Sequence, residues 1–264
     1  MDAKSLLQSG RLSAAVEELS QEVRAHPADL SLRAFLFELL CLSGEYERAG
    51  RQLDVVAQQD ARTEVGAQVY RNLLSAEKSR SRLMADGLIP DFLLKPPAFA
   101  MLHLEAVNRQ REGHPEQARA ALEKAAESET PAAGRADEQA FADFADQDSI
   151  LGPLLEVFIH DRYVWLPFIQ IRRLSINAPK TLRDLIWLPA ILETVEGPAG
   201  GVFIPVLYSG SSRHPNELVR LGRITEWQEL GEGLQGGMGQ RVFFIDEGER
   251  AVLELRELEF DVAR

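Results

Sequence analysis

The sequence predicts a two-domain α+β protein, in which an N-terminal α-superhelix of helical hairpins precedes a mainly antiparallel β domain with short helices. Three observations predict it. A glycine-to-alanine pattern recurs at helical-repeat spacing in the first half, short β-prone runs bounded by glycine and proline fill the second, and a polar stretch separates them. The expected boundaries are 1–130 for the helical domain, 131–149 for the connector and 150–264 for the β domain.

The repeating segments are Ser9 to Ala15, Ser43 to Ala49 and Glu112 to Ala118, with glycines 34 and then 69 residues apart. Five residues past each glycine comes alanine (Ala15, Ala49, Ala118), and nine past it comes leucine (Leu19, Leu53, Leu122), which places both on one helical face. Thirteen past it lie Val23, Ala57 and Ala126. A left-handed glycine ends one helix and a small alanine lets the next pack closely. With Pro27 and Pro131 near the ends of units, the 34-residue period resembles that of tetratricopeptide repeats, which stack around a concave face. An ordinary bundle with coincidental spacing is the plain alternative, and three segments agreeing at three positions favour the repeat.

Two hairpins are expected over 2–60. Another helix is expected from Glu64 to about Arg80, with Val65, Val69, Tyr70, Leu73 and Leu74 on its apolar side. After the break at Asp86 to Pro90 and Pro96-Pro97, a helix from Ala98 to about Gln110 and a third hairpin closing near Ser128 complete the half. The connector carries Pro131, Gly134 and many acidic residues, with a short helix expected over Asp137 to Ala145. Strand-like runs follow at Val157–Ile159, Val164–Leu166, Ile191–Val195, Val202–Tyr208, Arg241–Ile245 and Val252–Leu255. Two hairpins are expected to turn through Glu196 to Gly201 and Asp246 to Glu249, and a short helix from Thr181 to Trp187 is N-capped by Thr181 with Asp184 three residues on.

A chain of 264 residues buries roughly 70–75% of its unfolded surface, enough for a core without metal or disulfide staples. The net charge of -12 argues against a general nucleic-acid or anionic-membrane surface and points to protein partners. No apolar run is long enough for a membrane span. Met1-Asp2-Ala3-Lys4-Ser5 lacks the order of a secretory signal, so a cytoplasmic protein is expected. The single cysteine, Cys41, lies in an apolar helical stretch and reads as core.

Candidate chemistry is sparse. Gly231 to Arg241 is the most glycine-dense stretch, but it leads into a strand and lacks the Lys-Ser/Thr ending of a phosphate loop, so it reads as a mobile or tightly turning loop. The five histidines show no metal-ligand spacing, so neither metal nor cofactor is expected. No nucleophile elbow surrounds Ser209, Ser211 or Ser212 near His160 or His214. Asp143, Asp146 and Asp148 read as a solvated surface of the connector, and Trp165, Trp187 and Trp227 as core or half-buried, each also a possible partner anchor.

Several blocks in order resemble the ImpE family, also called TagJ or SciE, accessory proteins of bacterial type VI secretion. They run from Leu154-Leu155-Glu156-Val157 through Tyr163 to Pro167, Pro179, Leu182 to Trp187, Pro189-Ala190, Ile204 to Tyr208, Gly222 to Trp227 and Gly239-Gln240-Arg241, and end at Leu258-Glu259-Phe260. Leu6 to Gly10 matches the family's opening, and one departure is Glu226 where aspartate is expected. The resemblance implies a non-enzymatic cytoplasmic adaptor that contacts the small subunit of the contractile sheath and, through it, the ClpV disassembly ATPase.

Which surface would bind is open between the repeat concavity and an exposed sheet edge of the second domain. The candidate partner-binding residues are Trp165, Asp184, Trp187, Arg223, Trp227 and Arg241. A structural reading stands beside this: Asp184 paired with Arg223 or Arg241 as a buried ion pair joining strands. Two rival functions remain, an enzyme sited near the glycine-rich stretch and a repeat scaffold for another assembly.

Overall fold

A computed structural model describes residues 1–59 and 63–261; the ends of the expected second hairpin at 60 and of the β domain at 262–264 lie outside the described residues. The first half folds as α1 (Ala3–Gln8), α2 (Leu12–Ala25), α3 (Leu30–Leu42), α4 (Tyr46–Gln59), α5 (Glu64–Asp86), α6 (Ala98–Arg111) and α7 (Pro115–Ala126). Consecutive helices pack on one another. Gly10, Gly44 and Gly113 sit at the predicted turns with φ of +81°, +72° and +79°, and Ala15, Ala49 and Ala118 are fully buried where the helices meet. In the third hairpin the pattern slips. Ala126 is exposed and Leu122 half-buried, because α7 buries Ala118, Ala121 and Ala125 instead.

Helix α5 departs furthest from expectation. It runs on to Asp86, where Gly87 closes it in the left-handed conformation, and Val65 and Val69 of its expected apolar side are exposed. Tyr70 and Leu74 are half-buried, and the buried stripe is Ala67, Leu73, Ala76, Glu77, Arg80 and Leu83. The second half of the helix lies against the sheet, and two charged side chains buried there set its rotation.

The second half contains β1 (Gly134–Ala136), β2 (Gln139–Phe141), β3 (Phe144–Asp146), β4 (Leu154–Ile159), β5 (Arg162–Pro167), β6 (Ile171–Ile176), β7 (Trp187–Thr194), β8 (Gly197–Pro205), α8 (Glu217–Arg220), β9 (Thr225–Gly231), β10 (Leu234–Gly239), β11 (Val242–Ile245), β12 (Gly248–Ala251) and β13 (Glu257–Phe260). An eight-stranded antiparallel sheet has the order β2-β1-β13-β6-β7-β8-β4-β5, beside a three-stranded sheet β12-β11-β3 and the hairpin β9-β10.

The helix expected over Asp137 to Ala145 is instead strands. Asp137 and Glu138 turn with φ of +46° and +76°, and the Asp137 carboxylate accepts the backbone N–H groups of Arg256 and Glu257. Phe141 and Phe144 then join Phe168, Phe243 and Phe260 in an aromatic cluster, so burial of these rings overrides the helical composition.

The turn expected across Glu196 to Gly201 is shorter than predicted. Gly197 already pairs with Thr194 and Pro198 with Glu193, beside a bulge, so the glycines belong to β8. The Asp246-Glu247 turn joins β11 and β12 as expected. Thr181 and Asp184 form a capping box, on a short 3₁₀ helix over Leu182–Leu185.

Core packing crosses the boundary between the two halves. Helical residues such as Leu39, Phe37 and Leu83 share one buried cluster with Leu154, Phe158, Trp165, Ile186, Trp187 and Tyr208 of the sheet side, while a second cluster fills the sheet region alone. Cys41 is buried in the first, and burial pushes its thiol well above its ordinary value. The segment after α5 covers the outer edge of β5: Asp91 N–H donates to the Tyr163 carbonyl and Trp165 N–H to the Asp91 carbonyl, each at 2.9 Å. Among the described residues no helix is long and apolar enough to cross a membrane.

Candidate functional site

Where α5 meets the sheet, the protein buries a polar cluster. Glu77 and Arg80 come from α5, Glu156 from β4, Tyr163 and Trp165 from β5, Asp146 from β3, and Arg241 from the step between β10 and β11. Arg80 donates to Glu156 from Nε at 2.9 Å and from Nη2 at 2.7 Å, and Nη2 also reaches the Leu207 carbonyl at 2.9 Å. Arg241 donates to the same Glu156 and, from Nη1, to Asp146 at 2.5 Å. Tyr163 donates its hydroxyl to Glu156 at 2.5 Å and accepts from Trp165 Nε1 at 2.5 Å. Tyr208 donates to Asp146 at 2.8 Å, and the Arg241 guanidinium lies 5.1 Å from its ring centroid. Trp187 Nε1 donates to Glu77 at 3.1 Å.

The charges are unequal. Four carboxylates, Glu77, Asp146, Asp148 and Glu156, face two guanidiniums, Arg80 and Arg241. Burial favours neutral Glu156, yet the two arginines outweigh it and hold its carboxyl down at about 2. The remaining acids have less cation to share. Burial pushes Asp146 up to about 7 against the pull of Arg241, and raises Glu77 and Asp148 as well. Both guanidiniums stay charged, since the carboxylates overcome their burial.

A cavity of about 140 Å³ opens above this cluster, walled by Leu83, Met84, Val107, Ile150, Leu230 and Met238, with Tyr163, Glu156 and Arg80 at its polar base. Its far wall is the glycine-dense stretch, which turns tightly through Gly231, Glu232 and Gly233 at positive φ, as expected, and continues as strand β10. Gly237 lies so close to Tyr208 that a Cβ there would sit 2.3 Å from the ring. Close approach of an aromatic face, not phosphate binding, accounts for this glycine.

Three of the six candidate residues meet here. Trp165, Trp187 and Arg241 are almost fully buried within or against the cluster, so none presents surface to a partner. Trp227 is half-buried with its ring 5.9 Å from Tyr208. The other two lie elsewhere. Asp184 accepts the N–H groups of Lys180 and Thr181 at 2.8 Å, and Arg223 donates to the carbonyls of Gln8 and Leu7 at 2.9 and 2.8 Å. The expected ion pair of Asp184 with Arg223 or Arg241 is therefore absent. A buried pair does join strands through Arg241, but its partners are Asp146 and Glu156, the former expected on a solvated surface. Neither His160 nor His214 is hydrogen-bonded to a serine among the described residues; His214 Nε2 lies 3.6 Å from Glu226.

Glu77, Arg80, Glu156, Tyr163 and Tyr208 were not among the candidate site residues, although the last three fall within the family-like blocks. One signal was present: Glu156 is the single charge in Leu-Leu-Glu-Val-Phe-Ile, a strand buried at every position.

The chain is 41% identical over 261 residues to the type VI secretion system accessory component TagJ of Pseudomonas aeruginosa, covering 99% of this chain and 92% of the relative. The ImpE protein family matches over residues 138–259. This chain belongs to the ImpE family. The family match holds Asp146, Glu156, Tyr163, Trp165, Tyr208 and Arg241, whereas Glu77 and Arg80 lie outside it on the helical side. The ImpE region thus takes its second arginine from the helical half. The crystal structure of protein VPA1032 from Vibrio parahaemolyticus superimposes with a TM-score of 0.91 at 25% identity, covering 99% of this chain and 98% of that one.

Proposed function

We propose that the protein is a non-enzymatic cytoplasmic adaptor of type VI secretion, which captures an N-terminal helix of the small sheath subunit and so influences how contracted sheath reaches the ClpV ATPase. The observation that carries this reading is the near full-length likeness to an accessory component of that system. The helical hairpins support it, since stacked hairpins offer a groove into which an amphipathic helix lays its apolar face. The buried cluster supports it in another way. Glu156, Tyr163, Tyr208 and Asp148 all direct hydrogen bonds within the protein, as a cluster that fastens one half to the other requires. In this reading the cluster fixes the helices against the sheet and holds the receptor surface in shape.

The test is calorimetry of the full chain with purified small sheath subunit and with a peptide of its N-terminal helix. Saturable binding with Kd of tens of micromolar or tighter is expected. No heat from either partner across that range would end the proposal.

A further inference from the structure

Helices α2, α3 and α4 enclose a surface groove of about 400 Å³ lined by Ser20, Val23, Arg24, Pro27, Arg33, Leu36, Arg48 and Gln52. Its charge is opposite to that of the molecule. The chain carries 41 acidic and 29 basic residues, yet three arginines and no carboxylate line this groove. The arginines are also under-used. Arg33 is aimed by bonds from Nε to the Pro27 carbonyl at 2.9 Å and from Nη1 to Gln52 at 2.8 Å, which leaves Nη2 without a partner among the described residues. Arg48 holds Glu45 at 2.5 Å through Nη1 and reaches Ser20 through Nη2 at 3.4 Å. Arg24 has no acidic partner among the described residues. Its place in the last turn of α2 suits the helix dipole, but that accounts for one arginine of three.

We propose that this groove docks an acidic segment of a partner protein, with its carboxylates on Arg24, Arg33 and Arg48 beside the exposed Pro27, while Val23 and Leu36 lie buried beneath. Planar guanidiniums take carboxylates in a two-pronged fashion, and an aimed Arg33 loses little freedom on binding. The chain's net charge of -12 repels the extended polyanions, nucleic acid and anionic lipid surfaces, so a short acidic peptide that stays within reach of the three arginines is the occupant. The inference rests on the adaptor reading and adds the location and charge of the segment received.

The test uses the full chain and two synthetic helical peptides of about 15 residues, with the same apolar positions flanked by Glu in one and Lys in the other. Fluorescence anisotropy is read on wild type, on R24E/R33E/R48E and on R24Q/R33Q, the last of which keeps the Glu45–Arg48 pair; circular dichroism checks each fold. The Glu peptide is expected to bind, to lose about tenfold or more in affinity in both variants, and to weaken several-fold as salt rises from about 50 to 300 mM, while the Lys peptide does not bind. Equal binding of the two peptides, unchanged binding to the variants, or no binding of the Glu peptide overturns the inference. Titration of the small sheath subunit separates it from the adaptor reading. A subunit that binds wild type and both variants alike leaves the adaptor standing and removes the acidic groove. An arginine-dependent Glu peptide with no subunit binding does the reverse.

Discussion

Arg80 and Glu156 are 76 positions apart and joined by two hydrogen bonds, one residue on a helix and the other in the sheet, both almost fully buried. The pair sets the rotation of α5 and ties the two halves together at a point where both partners are almost fully buried. Arg80→Ala is expected to destabilise by about 3–5 kcal/mol, since a buried group is left without its partner. Urea unfolding reads this directly, and a loss below about 1 kcal/mol would show the pair to be incidental.

Asp146 makes stability depend on pH. Its folded carboxyl titrates at about 7 against an ordinary 3.8, so the folded state binds a proton more tightly than the unfolded state. Its contribution is therefore complete below about pH 4 and is lost as pH rises towards 7. Glu77 and Asp148, also raised, add to the same decline, whereas Glu156, held at about 2, contributes above its ordinary 4.5 and is lost on acidification. Asp146→Asn should flatten the fall between pH 4 and 7 by an amount on the order of a few kcal/mol. An identical slope in wild type and variant would refute the assignment.

Gly237 and Gly113 separate two reasons for glycine. At Gly113 φ is +79° with open space around the missing Cβ, so Gly113→Ala should cost only the left-handed strain of about 1–2 kcal/mol. At Gly237 the Tyr208 ring blocks the Cβ, so Gly237→Ala should cost about 1–3 kcal/mol through overpacking and also disturb the Tyr208–Asp146 bond. Near-ultraviolet dichroism distinguishes them: the tyrosine signal should change in the second variant alone.

Arg223 acts as a strap across the end of α1. Arg223→Ala removes two bonds to the Leu7 and Gln8 carbonyls, and the six-residue α1 has little else of its own to hold it. Amide exchange over Ala3 to Gln8 should speed up several-fold with little change in global unfolding. Unchanged exchange there would mean that packing of Leu6 suffices.

The helical half was legible because its signals are local. A left-handed glycine and a small alanine five positions on act over a turn or two of chain, and Gly10, Gly44 and Gly113 sit at the turns where they were expected. Composition misled where a long-range contact decides the outcome. Residues 137–145 have helical composition but are strands because Phe141 and Phe144 have ring partners more than twenty residues away. The face of α5 was misjudged for the same reason: Val65 and Val69 look like core and Arg80 like surface until Glu156 stands opposite. Trp165 and Trp187 were read as core or half-buried and also, with Arg241, as candidate partner-binding residues. That they face inwards follows from partners no spacing rule reveals.

The shared core also has a consequence for how the chain is made. At about 5–20 residues per second, helices α1 to α7 are made well before β4 and β5 exist. During that interval Glu77 and Arg80 lack Trp187 and Glu156, and the face that will cover Trp165 is bare. The apolar face and the two charged side chains of the helical half thus stay without their full set of partners until synthesis has passed Arg241. The family region, residues 138–259, is the latch of the fold.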